Sequence, residues 1–349
     1  MLFLVLLVSV EIILKTYDHF NPRCDFMINP VAENLDYDFK KDVCNSWKVR
    51  LTYIDPISGI SQSVPNQHFL TFNINNHGFR GPEIFIEKPD DTYRIFVVGG
   101  STTFSIRALS DQHTIPGYLQ QKFDEAGLDK KIEVINAGIG SMTSNDELQL
   151  VKTKIVKYDP DLIIIYDGYN DVVNFPGKTK NKLEDDIFVS TWRTFFNFYD
   201  TPYVLEGIIE KSKNSAFPLF FNTEYEKKAL TWKENMIEIC DIGKEEGFDT
   251  VVALQPFLGT GNKVWTDHEM NMIEKSSTLS GMKDGYQFFA DELDELKNYC
   301  SITIDLRNSF DDIAESVFFD KAHVSSDSNK IITVQLFEMV KPLVSNQTN

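Results

Sequence analysis

Ser101 follows two glycines at the end of an apolar run, in YRIFVVGGSTTFS over 93–105. Three further polar clusters have similar settings. Residues 136–144 read NAGIGSMTS, residues 167–171 read DGYND, and FFDKAH over 318–323 sets Asp320 and His323 three apart. A serine hydroxyl is a weak nucleophile until a base takes its proton. A histidine oriented by a carboxylate supplies that base, and Asp-x-x-His brings both groups to one loop. Each cluster alone has a plainer reading: a tight turn for Gly-Gly-Ser, a helix cap for Asn-Asp, a surface pair for Asp-x-x-His. Two glycines at a strand end could also open a phosphate loop. No lysine follows them as that loop requires, and the G-x-G-x-x-G of a dinucleotide site is missing too.

The elements that must position these residues alternate. YRIFVVGG, KIEVINAG and PDLIIIYDG read as buried strands. Between them, HTIPGYLQQKFDEAG and SNDELQLVKTKIVKY carry helical spacing, the second opened by Ser144 or Asn145 as N-cap. The rhythm predicts a parallel sheet covered on both faces. It breaks over 172–235, an aromatic helical insert that includes Trp192, Phe195, Tyr203, Phe221 and Trp232. It returns with a helix in KENMIEICDIGKEEG, a strand in DTVVALQP, a helix in GYQFFADELDELKNYC, a strand in ITIDL and a last helix from about Ser326. Ligands on an open α/β sheet bind beyond the carboxyl ends of the strands, and three of the four clusters stand there in succession. Residues 21–90 read as a small β-rich lead-in, with WKVRLTYI and FLTFNI as strand-like pieces, ahead of a main domain over 91–345.

In this order and on these elements, the clusters resemble the motifs of the SGNH hydrolases, the GDSL-type esterases, and in particular their membrane-anchored GGST members. The stretches NNHGFRGPE and LQPFLGTGNK add to the likeness. The resemblance implies a flavodoxin-like, three-layer α/β/α fold around a central parallel sheet. It makes Ser101 the nucleophile, His323 its base and Asp320 the partner of the histidine. Oxyanion donors would be the Ser101 N–H, the N–H of Gly140 or Ser141, and the Asn170 amide. No metal and no cofactor are implied. Two positions depart from the motif: Gly100 replaces the usual aspartate, and Ser141 stands where related chains carry glycine. Asp171 reads as an N-cap and Arg80 as a brace for the lead-in. The implied activity is hydrolysis of a carboxylic ester, acyl or acetyl, through an acyl-enzyme. The substrate would be a small-molecule or glycan ester. The alternatives are an O-acyltransferase acting on surface polysaccharide and a non-catalytic sugar-binding scaffold.

Composition bounds the partners. The 349 residues carry a net charge of -18, which argues against nucleic acid, since phosphate binding needs a basic face. Leu2–Val10 is almost wholly apolar and Ile12–Leu14 continues it past Glu11. Residues 1–20 therefore read as a membrane anchor or signal-like segment that holds the main domain outside the cytoplasm. The four cysteines form no CxxC pair, so zinc-ribbon and thioredoxin-type sites have no support. In an oxidising exterior, Cys24 and Cys44 would close a disulfide.

Overall fold

The computed structural model describes residues 9–14, 16–17, 25–48, 51–173, 221–276 and 278–348. The lead-in opens with α1 (Asp25–Ile28) and α2 (Tyr37–Lys48). Two small antiparallel pairs follow: β1 (Thr52–Ile54) with β2 (Ser61–Ser63), and β3 (Gln67–His68) with β4 (Asn73–Ile74). The segment thus joins helices over its first part to two strand pairs over its second. Trp47 and Lys48 of the supposed strand WKVRLTYI end a helix, and Thr52–Ile54 is its extended part among the described residues. The helix forms because Phe39 and Val43 stand four apart, on one face, and pack with Phe26 in a small apolar cluster.

The main sheet has five parallel strands in the order β6-β5-β7-β8-β9. They are β5 (Thr92–Gly99), β6 (Lys131–Gly138), β7 (Leu162–Asp167), β8 (Asp249–Leu254) and β9 (Ile302–Asp305). Counting only these, the order is 2-1-3-4-5, the flavodoxin-like arrangement. Every residue of β5 and β7 is buried, as expected of parallel strands covered on both faces. On one face α4 (Ile115–Ala126) packs on α10 (Ser326–Thr348). On the other, α7 (Phe221–Glu246) packs on α5 (Ser144–Thr153) and α9 (Leu279–Leu296). The fold is therefore a three-layer α/β/α. Gly127 ends α4 with φ +63°. The N-cap of α5 is Thr143, one residue before the expected cap, because its side chain and that of Asp146 form a reciprocal capping box.

The lead-in does not stand apart. Ile60, Phe79 and Ile84 belong to the same apolar core as the strands, and Arg80 bridges to Asn136 of β6. On the far side of the sheet, Cys240 of α7 is joined to Cys300 by a disulfide, a pairing the sequence did not single out. Cys44 is disulfide-bonded as well; Cys24 lies outside the described residues. Among the described residues no helix is long and apolar enough to cross a membrane, and residues 1–8 lie outside them. So does 174–220, the greater part of the aromatic insert. Of its described end, Tyr225 and Trp232 are core residues of α7.

Candidate active site

The site forms where the strand order reverses, at the carboxyl ends of β5 and β7, which is where open α/β sheets bind ligands. Ser101 opens α3 (Ser101–Phe104), directly after β5. Its neighbours explain the glycines. A Cβ on Gly138, at the end of β6, would collide with the backbone of Phe104, so only glycine lets α3 cross that strand end. A Cβ on Gly100 would run into Nδ2 of Asn170. The asparagine amide thus lies against the peptide ahead of Ser101.

The short helix is held from below by Arg80. Its Nη1 donates to the carbonyls of Phe104 at 2.7 Å and Ser105 at 3.0 Å, and its Nη2 to that of Thr71 at 2.8 Å. Nε donates to Asp111 at 2.8 Å, and the guanidinium rests on the rings of Phe72 and Phe104. Arg80 thus ties the lead-in to the helix that carries the serine. This is the brace expected of it, and it satisfies carbonyls that a four-residue helix leaves open.

His323 arrives from a loop just ahead of α10. Its Nε2 is 2.7 Å from Ser101 Oγ, and its Nδ1 is 2.7 and 2.9 Å from the two oxygens of Asp320. The Asp320 carboxylate also accepts the N–H groups of Ala322 at 3.0 Å and His323 at 2.9 Å. Burial alone would raise the pKa of this carboxyl. The hydrogen bond and charge of His323 and the two backbone donors outweigh it and hold Asp320 well below the usual carboxylate range. Arg107 places a guanidinium nitrogen 3.5 Å from the same carboxylate.

The loop is braced at three points. Phe319 stacks on Phe26 at 4.8 Å, and its carbonyl accepts Asn29 Nδ2 at 2.8 Å. Phe319 N–H donates to the His323 carbonyl at 2.8 Å, which closes the turn. Behind it, Glu269 of α8 (Asp267–Lys275) is fully buried and accepts the N–H of Val317 at 2.9 Å. Lys263 lies 3.4 Å from Glu269 and donates to the carbonyls of Ile313 and Glu315 at 2.6 and 2.9 Å. This lysine ends LQPFLGTGNK, so that stretch holds the loop that carries the acid and base. Sequence reasoning missed Glu269 and Arg107, because neither has a motif and their partners lie far off in the chain.

The expected oxyanion donors stand on Ser101 itself, on the turn after β6 and on the short helix after β7. Asn170, on α6 (Tyr169–Val173), directs Nδ2 at the Met142 carbonyl at 2.7 Å, which leaves its second amide hydrogen. Among the described residues, the N–H groups of Ser101, Gly140 and Ser141 have no acceptor. Ser141 has φ +66°, while Gly140 has neither a positive φ nor any atom near its missing Cβ. The left-handed turn that favours glycine is thus at 141, as the motif expects, and here a serine occupies it at some backbone cost. A missing oxyanion donor costs a serine hydrolase about a hundredfold or more in rate. Asp171 does not cap its own helix. It accepts the N–H of Ser144 at 2.9 Å and its hydroxyl at 2.5 Å, at the start of α5. Among the described residues, no group of histidines, cysteines and acids could hold a metal ion.

No family model matches the chain, and no curated protein matches it. Its structural neighbours are GDSL- and SGNH-type esterases. One is the acetyl xylan esterase AlAXEase, at 14% identity and TM-score 0.43, covering 71% of this chain and 99% of that one. Another is a putative lipolytic protein of the G-D-S-L family from Desulfitobacterium hafniense DCB-2, at 13% and 0.41, covering 70% and 98%. A third is TesA, at 13% and 0.42, covering 72% and 99%. These are likenesses of fold, too distant to carry a residue's role or a substrate.

Proposed function

We propose that this chain is a serine esterase of the SGNH type, hydrolysing a carboxylic ester through an acyl-enzyme. One observation carries the reading: Asp320, His323 and Ser101 form a continuous hydrogen-bonded relay at the reversal point of the sheet. His323 Nε2 takes the Ser101 proton as Oγ attacks the ester carbonyl, and then returns it to the leaving alcohol. Asp320 keeps the Nδ1 proton directed at itself and stabilises the imidazolium. The N–H groups of Ser101 and of Gly140 or Ser141, with the Asn170 amide, would receive the oxyanion. Water then attacks the acyl-enzyme with His323 again as base, releasing the acid. A panel of p-nitrophenyl esters of graded acyl length tests this. Turnover of at least the acetyl ester is expected, with an acylated Ser101 trapped on acid quenching. No turnover across the panel, together with no label at Ser101 from a fluorophosphonate, would overturn it.

The proposal includes tethering through residues 1–20 and a domain outside the cytoplasm. The Cys240–Cys300 disulfide supports an oxidising compartment. Fractionation of the native host with thiol labelling checks it. Recovery is expected with membranes, with Cys240 and Cys300 labelled only after reduction; free alkylation of both in soluble cytosol would end the idea.

A further inference from the structure

Behind the oxyanion turn, three carboxyl groups are buried together. Glu147 of α5 is 0% exposed and Asp167, the last residue of β7, is 1% exposed. Neither carboxyl oxygen of Glu147 has a hydrogen-bond partner among the described residues, and the backbone donor beside Asp167 is that of its neighbour Gly168. Asp171 instead lies within hydrogen-bonding reach of Asp167. Asp171 also holds Ser144 by both its N–H and its hydroxyl, and Asn235 Nδ2 donates to that hydroxyl at 2.9 Å. Ser144 directly follows the turn 139–143 that offers the Gly140 and Ser141 N–H groups and the Met142 carbonyl gripped by Asn170.

Two carboxylates in contact cannot both stay ionised; one proton shared between them turns repulsion into an O–H···O bond. The surroundings favour that proton. Burial first, then the charges of Glu147 and Asp171, hold Asp167 well above the usual carboxylate range. Burial and the charges of Asp171 and Asp146 do the same for Glu147. Burial raises Asp171 too, with its hydrogen bonds from Asp167 and Ser144 acting against the rise. The other charged or titratable groups facing the cluster are few. Asp146 on α5 bonds the Thr143 N–H and hydroxyl. Lys228 on α7 donates to the Val172 carbonyl at 2.8 Å and has Glu224 beside it. Tyr286 on α9 donates to the Gln255 carbonyl at 2.9 Å.

We propose that Asp167 and Asp171 are positioning residues that hold the oxyanion turn through one proton shared between their carboxyl groups, with Glu147 buried in the same cluster. As pH rises, hydroxide removes the shared proton as water, and the O–H···O bond is lost. Ionised Asp167 then repels Asp171, which withdraws from Ser144 and takes the start of α5 and the 139–143 turn with it. The relay of Ser101, His323 and Asp320 lies on other elements and is untouched. Activity therefore carries an alkaline limb that does not belong to His323. The activity arm of this inference rests on the proposed esterase reading; its stability arm does not.

The test measures kcat/KM for p-nitrophenyl acetate and the melting temperature of the full chain, each from about pH 5 to 10. The folded state keeps protons that the unfolded chain has released above about pH 4, so wild-type melting temperature should fall as pH rises. Asp167→Asn supplies Asp171 with a donor that does not titrate. It is expected to move the alkaline limb up by roughly one pH unit or more, flatten the fall in melting temperature and leave the acid limb in place. Asp167→Ala removes the donor and should lower kcat about a hundredfold with KM little changed, as a misplaced site does. An Asp167→Asn protein with the wild-type alkaline limb and the wild-type melting slope would overturn the inference. If no ester is turned over, the melting slopes decide it alone, and a flattened slope upholds it while the esterase reading fails. If Asp167→Asn does not fold, Glu147→Gln serves: it should flatten part of the same slope, and an unchanged slope counts against the shared cluster.

Discussion

Ser101→Ala is expected to lower kcat/KM by about four to six orders of magnitude, as loss of the nucleophile does in a serine hydrolase, with almost no change in melting temperature. The hydroxyl's one side-chain partner is His323, and both residues are half-buried at the mouth of the site. Its loss leaves no buried polar group without water, so stability should move by only about 0.5 kcal/mol, as at ordinary surface positions. The fold of α3 does not depend on the hydroxyl either, because Arg80 and the close approach at Gly138 hold the helix. Initial rates on p-nitrophenyl acetate and a thermal melt of the same preparation give both numbers. Reaction of a fluorophosphonate with wild type but not with the variant places the label. Labelling at another serine, or a variant with more than about a hundredth of the wild-type rate, would remove Ser101 as nucleophile.

His323→Ala should be as damaging, because a nucleophile without its base is nearly as inert as no nucleophile. The double variant with Ser101→Ala should then be no worse than either single one; losses that multiply would argue against one shared unit. Asp320→Asn should cost about ten-thousandfold in kcat. An amide can present a hydrogen to Nδ1, and that forces the proton onto Nε2, where it faces Ser101 instead of accepting from it. Asp320 also links to stability. Its pKa is depressed in the fold, so its stabilising contribution is present above the ordinary carboxylate range and is lost as pH falls. The Asp167 cluster has the opposite sign, since its folded-state values are raised. Stability should therefore peak in mildly acid solution, and Asp320→Asn should flatten only the acid side.

The helix α5 shows both what could be read and what was overlooked. Its existence followed from the apolar spacing of Leu148 and Val151 and from a polar opening. Glu147 stands one position before Leu148, on the same buried stripe, and that misplaced acid was a legible signal of something buried and protonated. The short strands of the lead-in were less legible. They pair over two or three residues only, too few for alternation to distinguish them from loop, and the β-branched and aromatic residues just after α2 carry a strand propensity that masks its end.

Local pattern along the chain is enough to set the parallel sheet and the order of its clusters. A buried strand needs a continuous apolar run, a crossover helix needs a 3.6-residue stripe, and their alternation leaves few ways to pack. It also determined that Ser101, Asn170, Asp320 and His323 stand next to element ends, since glycines and polar clusters interrupt the runs there. Only the tertiary structure decided that His323 reaches Ser101 across 222 residues of chain. The same holds for the left-handed turn that a serine keeps at position 141, for the Asn170 amide lying against Gly100, and for the meeting of Cys240 with Cys300. Each of these depends on the distance between segments remote in sequence. Local propensity carries no record of such distances; they are set when the helices close over the sheet and the loops are braced by Arg80, Lys263 and Glu269.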